Sequence, residues 1–238
     1  MPDPLADLAQ LPGVPSAVAA ATAAVDVVLR DRGLRRVTDQ ARAEALLVSA
    51  EASARLADDP ERWRAGAIRL SAELTTLADL IRVAPGQALA RAHAVVARGV
   101  VPDSELGRTG GDPAAVGRLR DLTALLTRPT SAPAVVLGAV AHAEIASIGA
   151  FGPASGLVGR VAEHLVLMSS GLDPYAAIVV EAGHAADPAG YRAGLAAYAD
   201  GGVNGVSRWI LWCAAAVARG AELSPVADRT FQTGPSRT

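Results

Sequence analysis

Alanine dominates this chain, and that fact constrains the fold more than any other feature of the sequence. Alanine is the best helix former, and the β-branched residues favoured in strands do not outnumber it here. Aromatic residues are only 3% of the 238 residues, so a core would consist of small side chains that let helices approach closely. Hydrophobic residues reach 51%, which is typical of a globular chain. The composition therefore predicts a single all-α domain.

Asp–Pro pairs give the clearest helix boundaries. An aspartate caps a helix start and a proline fits the first helical position, so a start is predicted at Asp112-Pro113, Asp173-Pro174 and Asp187-Pro188. No repeat of fixed period and no clear linker divides the chain. The predicted helices span about 15–30, 38–56, 61–83, 87–97, 113–127, 132–148, 154–169, 173–183, 188–199 and 203–220.

Two segments are predicted to lie outside this set of helices. Residues 99–113 are rich in turn formers and should form a long loop, with a short β-hairpin flap as the alternative. The tail from Ser224 has little to bury. We therefore expect an N-terminal helical extension over 1–37, a helical domain over 38–220 and a flexible tail over 221–238.

Charge and cysteine content exclude several classes of function. A net charge of −2 provides no basic face for nucleic acid. All 22 basic residues are arginine, which excludes a lysine Schiff base and a P-loop lysine. The single Cys213 lies in an apolar helical stretch and is expected in the core. No secretion signal is visible, and no uncharged run reaches the roughly 20 residues of a membrane span, so we expect a cytoplasmic protein without membrane contact.

The most informative motif begins at His142 and ends at Arg160, and it reads HAEIASIGAFGPASGLVGR. Residues 149–160 resemble the signature loop of the Fic (Fido) family of AMP-transferring enzymes, H-P-F-x-(D/E)-(G/A)-N-G-R-x-x-R. Phe151, Gly156 and Arg160 stand at matching scaffold positions. The resemblance extends roughly over residues 40–220, because a tyrosine-rich helix and a tryptophan-containing helix follow the loop, as in the family. It implies a single-domain, Fic-like helical bundle.

The same resemblance implies which chemistry is missing. In the family, a loop histidine removes the proton from a target hydroxyl, a carboxylate holds Mg²⁺, and two arginines bind phosphate. Here Gly149 stands at the histidine, Pro153 at the carboxylate and Leu157 at the first arginine. We therefore predict no catalytic residue and no metal ligand in this loop. What remains is a candidate anion- or nucleotide-binding remnant, formed by Ser155, Gly156 and Arg160.

Other polar residues near the motif are interpreted as structural. His142 lies about 10 Å along its helix from the position of the missing base, too far to replace it. In the family, an inhibitory helix of pattern (S/T)-x-x-x-E-(G/N) pairs its glutamate with the second arginine. Residues 53–58 match this pattern weakly, with Ala57 at the glutamate. One E-x-x-H pair, Glu181 and His184, is too little for a di-iron bundle, so we expect no metal and no cofactor.

These observations predict a Fic-like pseudoenzyme, related to nucleotidyltransferases, that lacks AMP transfer and acts by binding or regulation. Its partner would be another protein or a second copy of the chain, with nucleotide binding weak or absent. The alternative is an enzyme of altered chemistry that uses the remnant around Ser155, Gly156 and Arg160 for a phosphate- or carboxylate-bearing ligand. A third hypothesis is that the resemblance is accidental and the chain is another alanine-rich bundle.

Overall fold

The computed structural model describes residues 3–30, 38–110 and 112–228. Over these ranges the regular structure is helical, and the one extended pairing is an isolated bridge between Arg98 and Val101. The predicted all-α class is therefore confirmed. In chain order the helices are α1 Pro4–Leu8, α2 Val14–Arg30, α3 Asp39–Arg55, α4 Pro60–Ser71, α5 Leu74–Ile81, α6 Pro85–Ala97, α7 Pro113–Thr127, α8 Ala134–Ser147, α9 Ser155–Ser169, α10 Val180–Ala185, α11 Pro188–Ala199, α12 Gly202–Glu222 and α13 Pro225–Asp228.

Two of the three Asp–Pro pairs begin helices as predicted. Asp112 accepts hydrogen bonds from backbone N–H groups in the first turn of α7, and Asp187 does so for α11. The prediction for Asp173 is wrong, because α10 begins only at Val180. The Asp173 side chain is fully buried and accepts from the backbone N–H groups of residues 177 and 178 instead. Its carboxylate closes a turn inside the protein rather than capping a helix.

The predicted single helix over 61–83 is in fact two helices. α4 ends at Ser71, whose hydroxyl donates to the carbonyl of Ile68 at 2.8 Å and competes for a group that would continue the helix. α5 begins at Leu74, and this amphipathic helix packs against α9. The apolar spacing was continuous along the sequence, but the direction of the chain changes at this junction.

Residues 99–110 form a loop, and the β-hairpin alternative is not observed in them. A short 3₁₀ turn, Asp103–Glu105, is their regular element. The backbone N–H of Gly110 donates to the carbonyl of Ala150 at 2.9 Å, which ties this loop to the motif loop. Residue 111 lies outside the described residues.

The core is built around helices α8 and α9, which run antiparallel and pack closely against each other. Gly159 allows this approach, since a Cβ at this position would lie 2.8 Å from the carbonyl oxygen of His142.

α2 packs on α12, and α12 extends to Glu222, past the predicted domain end at 220. Ser224 and Val226 are buried, while residues 229–238 lie outside the described residues. None of the described helices is both long enough and apolar enough to cross a membrane.

Candidate functional site

The motif loop is a tight connection between α8 and α9 that depends on glycines. Gly149 and Gly152 adopt positive φ angles of 64° and 54°. A 3₁₀ turn, Gly152–Ala154, leads directly into α9, with Pro153 in its first positions. Gly149, which the motif resemblance aligns with the family's histidine, is thus a glycine in left-handed backbone, where any other residue is strained by about 1–2 kcal/mol.

Ser155 uses its hydroxyl inside the loop. The hydroxyl donates to the carbonyl of Gly152 at 2.8 Å and accepts from the backbone N–H of Phe151 at 2.9 Å. Phe151 is buried, and the centroid of its ring lies 5.1 Å from the centroid of the His93 ring. Ser155 therefore stabilises the turn that starts α9.

Arg160 is buried beneath the start of α9 and is directed away from solvent, with 2% of its surface exposed. Nε donates to the Ser53 hydroxyl at 3.0 Å, and Nη2 donates to the Ser53 carbonyl at 2.8 Å. Nη1 donates to the Tyr191 hydroxyl at 3.0 Å. A Cβ on Gly156 would lie only 3.2 Å from Nη1, so the glycine makes room for the guanidinium. Each of the three guanidinium nitrogens is already bound within the chain.

Ser53 belongs to α3 and opens the segment 53–58 that resembles the inhibitory pattern. α3 does reach Arg160, but it does so through Ser53 and not through Ala57, which the pattern aligns with the glutamate. Ala57 has no group that can pair with a guanidinium, and Asp58 is exposed. The contact between this helix and Arg160 is therefore made by different chemistry.

Leu157, which the motif resemblance aligns with the family's first arginine, is part of the hydrophobic core, with 2% of its surface exposed. It lines a cavity of about 20 Å³ between α9 and helices α3 to α5. Ser53 and Glu181 also line this cavity. Such a volume is enough for one water molecule.

A second polar network extends inward from Tyr191. The Tyr191 hydroxyl lies 3.0 Å from Nε2 of His142, and Nδ1 of His142 lies 2.6 Å from Oε2 of Glu163. Nε2 of His184 lies 2.8 Å from the same carboxylate oxygen. The Trp212 indole N–H donates to Nδ1 of His184 at 3.1 Å. These residues come from α8, α9, α10, α11 and α12.

Hydrogen-bonding chemistry fixes the direction of every bond in this network. An indole N–H is only a donor, so Nδ1 of His184 accepts and its Nε2–H donates to Glu163. Tyr191 accepts from Arg160 and donates to Nε2 of His142, whose Nδ1–H then donates to Glu163. Burial lowers the pKa of His142 to about 4, so this imidazole is neutral at pH 7. Burial raises the pKa of Glu163, but the favourable interactions of its carboxylate with the N–H groups of His184 and His142 outweigh burial and hold the pKa below its usual range.

A separate buried cluster surrounds His164. Its Nδ1 lies 3.1 Å from Oε1 of Glu181, and its Nε2 lies 3.7 Å from Oδ2 of Asp173. Burial lowers the pKa of His164, but the two carboxylates outweigh this effect and raise the pKa to about 10. His164 is therefore an imidazolium between two acids. Glu181 and His184, adjacent in the E-x-x-H pattern, belong to different clusters.

Neither cluster is predictable from a local sequence pattern, because their members lie on different helices. The available signal was the presence of histidines and acids within otherwise apolar runs. All four histidines of the chain are buried, and Cys213 lies in the core as predicted. Trp209 is fully buried, and Trp212 is partly buried.

Comparison with known proteins supports the architecture. No family model and no curated protein matches the chain. A crystal structure of a Fic family protein from Desulfovibrio desulfuricans G20 superposes with a TM-score of 0.68, covering 90% of this chain and 75% of that one at 18% sequence identity. At this identity the similarity establishes the fold alone. The chain has a Fic-like, all-α fold.

Proposed function

We propose that this protein is a Fic-like pseudoenzyme: it keeps the architecture, lacks AMP transfer, and acts by binding a protein partner or a second copy of itself. The inward orientation of Arg160 carries this proposal, because its three guanidinium nitrogens are bound to Ser53 and Tyr191. We place the protein in the cytoplasm, without nucleic-acid contacts.

Nucleotide binding would require a rearrangement of these contacts. A hydrogen bond to a charged group contributes about 1.5–3 kcal/mol, and phosphate would have to replace three of them at Arg160. The cavity of about 20 Å³ beside Leu157 has no room for a nucleotide, and the larger, open cavity of about 550 Å³ that Phe151 lines does not include Ser155, Gly156 or Arg160. Nucleotide affinity is therefore expected to be weak or absent.

The chemical step would also lack its main participants. Gly149 has no side chain, and loss of a general base typically lowers a rate about 10²–10⁴-fold. Pro153 cannot supply a carboxylate for a metal ion. The lack of these two side chains does not depend on the contacts of Arg160. Releasing Arg160 from Ser53 and Tyr191 would therefore not restore AMP transfer.

The alternative hypothesis is an enzyme of altered chemistry that uses Ser155, Gly156 and Arg160 to hold an anionic ligand. In the present arrangement the Ser155 hydroxyl is bound within the loop, and Arg160 is bound to α3 and α11. Such an enzyme would have to release both sets of partners when the ligand enters.

The test is calorimetric titration of the full chain with ATP and ADP, with and without Mg²⁺, beside an assay for transfer of labelled AMP to protein. We expect no heat and no label. Ser53→Ala removes one hydrogen-bond partner of Arg160 and is therefore the variant most able to free this arginine for a nucleotide. Ser16→Ala, on the exposed face of α2, is its control. AMP transfer by the wild-type chain would refute the proposal. Saturable nucleotide binding lost on Arg160→Ala would favour the alternative.

The binding role is tested separately by sedimentation of the purified chain and by its recovery with a defined protein partner from cells. A reversible dimer at micromolar concentration would identify a second copy as the partner. A strictly monomeric chain that forms no complex would contradict a binding role.

A further inference from the structure

Four side chains with metal-binding chemistry, from four different helices, meet in the core. His142 on α8, Glu163 on α9, His184 on α10 and Cys213 on α12 each offer a ligand atom, and these atoms lie within 4.8 Å of one another. All four residues are fully buried. Nitrogen, oxygen and sulfur ligands in this combination suit a divalent transition metal of the zinc class.

The internal hydrogen bonds leave one member of this cluster incomplete. Oε2 of Glu163 accepts from both imidazoles, but its other oxygen, Oε1, is buried without a nitrogen or oxygen donor among the described residues, and the weakly donating Cys213 thiol is the remaining group beside this carboxylate. A buried carboxylate oxygen with no donor stronger than a thiol is costly and calls for an explanation, of which a bound ion is one. The Cys213 thiol lies in the same cluster.

We propose that His142, Glu163, His184 and Cys213 form a structural transition-metal site that is loaded while the chain folds. Ligands at 2.0–2.3 Å from a tetrahedral ion lie about 3.3–3.7 Å apart, so small side-chain movements convert the cluster into a coordination sphere. Cys213 loses its proton to solvent and binds as the thiolate. The ion's two positive charges then balance the Glu163 carboxylate and the Cys213 thiolate.

Full burial determines when the ion can enter. No ligand residue is accessible to solvent in the folded chain, so metal binding is coupled to folding rather than to a surface encounter. Such an ion would cross-link α8, α9, α10 and α12 within the core. This inference is independent of the proposed loss of AMP transfer.

Trp212 gives the proposal a distinctive signature. Its indole N–H donates to Nδ1 of His184, which keeps the imidazole proton on Nε2. When Nε2 binds a metal, the proton moves to Nδ1 and faces the indole N–H, so two donors oppose each other. Trp212→Phe removes this conflict and should raise metal affinity, by about tenfold on the scale of other partners of metal-bound histidines.

The experiment refolds the full chain, without any affinity tag, from denaturant in the presence of Co²⁺, followed by removal of unbound ion. We expect one ion per chain and the near-ultraviolet absorption of a cobalt–thiolate bond. Cys213→Ser should lose that absorption while retaining helical circular dichroism, with Cys213→Ala as the second variant. Trp63→Phe, at a buried tryptophan of α4 that is not among the proposed ligands or their hydrogen-bond partners, is the control for Trp212→Phe and should bind like wild type.

Three outcomes would overturn the proposal. The first is a refolded wild-type chain and a Trp212→Phe chain that both exclude Co²⁺. The second is cobalt absorption that persists in Cys213→Ser, which would place the ion elsewhere. The third is equal affinity in wild type and Trp212→Phe, which would remove Nε2 of His184 from the ligand set.

Discussion

The Tyr191 hydroxyl joins Arg160 to the histidine network, so removing it tests the inward arrangement directly. It accepts from Nη1 of Arg160 at 3.0 Å and donates to Nε2 of His142 at 3.0 Å. In Tyr191→Phe, a buried cationic donor and a buried imidazole nitrogen both lose a partner. A hydrogen bond to a charged group contributes about 1.5–3 kcal/mol and a neutral one about 0.5–1.5 kcal/mol. We therefore expect the free energy of unfolding to fall by about 2–4 kcal/mol.

Tyr198→Phe is the matched control, since it removes the same atom two turns later on α11. The Tyr198 hydroxyl donates to Oε1 of Glu144 at 2.6 Å, and Arg118 binds the same carboxylate. The Glu144 side chain is 19% exposed, so water can replace the lost hydroxyl, and we expect a loss of about 1 kcal/mol. Urea denaturation of both variants measures the difference. Equal losses would refute the reasoning that burial makes the Tyr191 hydrogen bonds the more costly to lose.

Leu157→Arg, which restores the family's first arginine, should lose more than about 3 kcal/mol because it buries an unpaired guanidinium, whereas Leu157→Met should lose less than about 1.5 kcal/mol. A stable Leu157→Arg chain in thermal unfolding would contradict the closed core. Gly183→Ala places Cβ 1.9 Å from the carbonyl oxygen of Ala216. It should destabilise by about 1–3 kcal/mol, while Gly117→Ala, in open space within α7, should stabilise by about 0.4–1 kcal/mol. Chemical denaturation that gives both changes the same sign would refute this. Burial lowers the pKa of His93 below its usual 6.5, so the unfolded chain binds more protons and stability should fall as pH decreases through that value. His93→Asn should reduce this slope, as measured by denaturation midpoints from about pH 5 to 8.

Local interactions explain why much of the helical pattern was predictable. Asp112 and Asp187 cap helices using only their own neighbours in sequence, and alanine-rich stretches favour helix wherever they are packed. Asp173 had the same local signal but accepts hydrogen bonds inside the core. Its prediction failed because tertiary burial outweighed the capping preference.

The candidate site was predictable only in part. The order of residues in the motif predicted the loop, and neither Gly149 nor Pro153, which the resemblance aligns with the base and the carboxylate, has a side chain with that chemistry. The remnant at Ser155, Gly156 and Arg160 stays a prediction. The sequence of α9 could not predict the direction of the Arg160 guanidinium. Its partners are distant in sequence, since Ser53 lies 107 residues away and Tyr191 lies 31 residues away.

The sequence by itself was enough to predict the all-α class, and the motif resemblance that predicts the loop register and the missing catalytic groups also depends only on residue identity and on neighbours within a few positions. Only the tertiary structure decided that Arg160 is directed inward and that Leu157 belongs to the core. It alone brought His142, Glu163, His184 and Cys213 together from four helices. Contacts of this kind depend on how helices distant in sequence pack, and that packing is set by the complementarity of whole surfaces rather than by any local pattern.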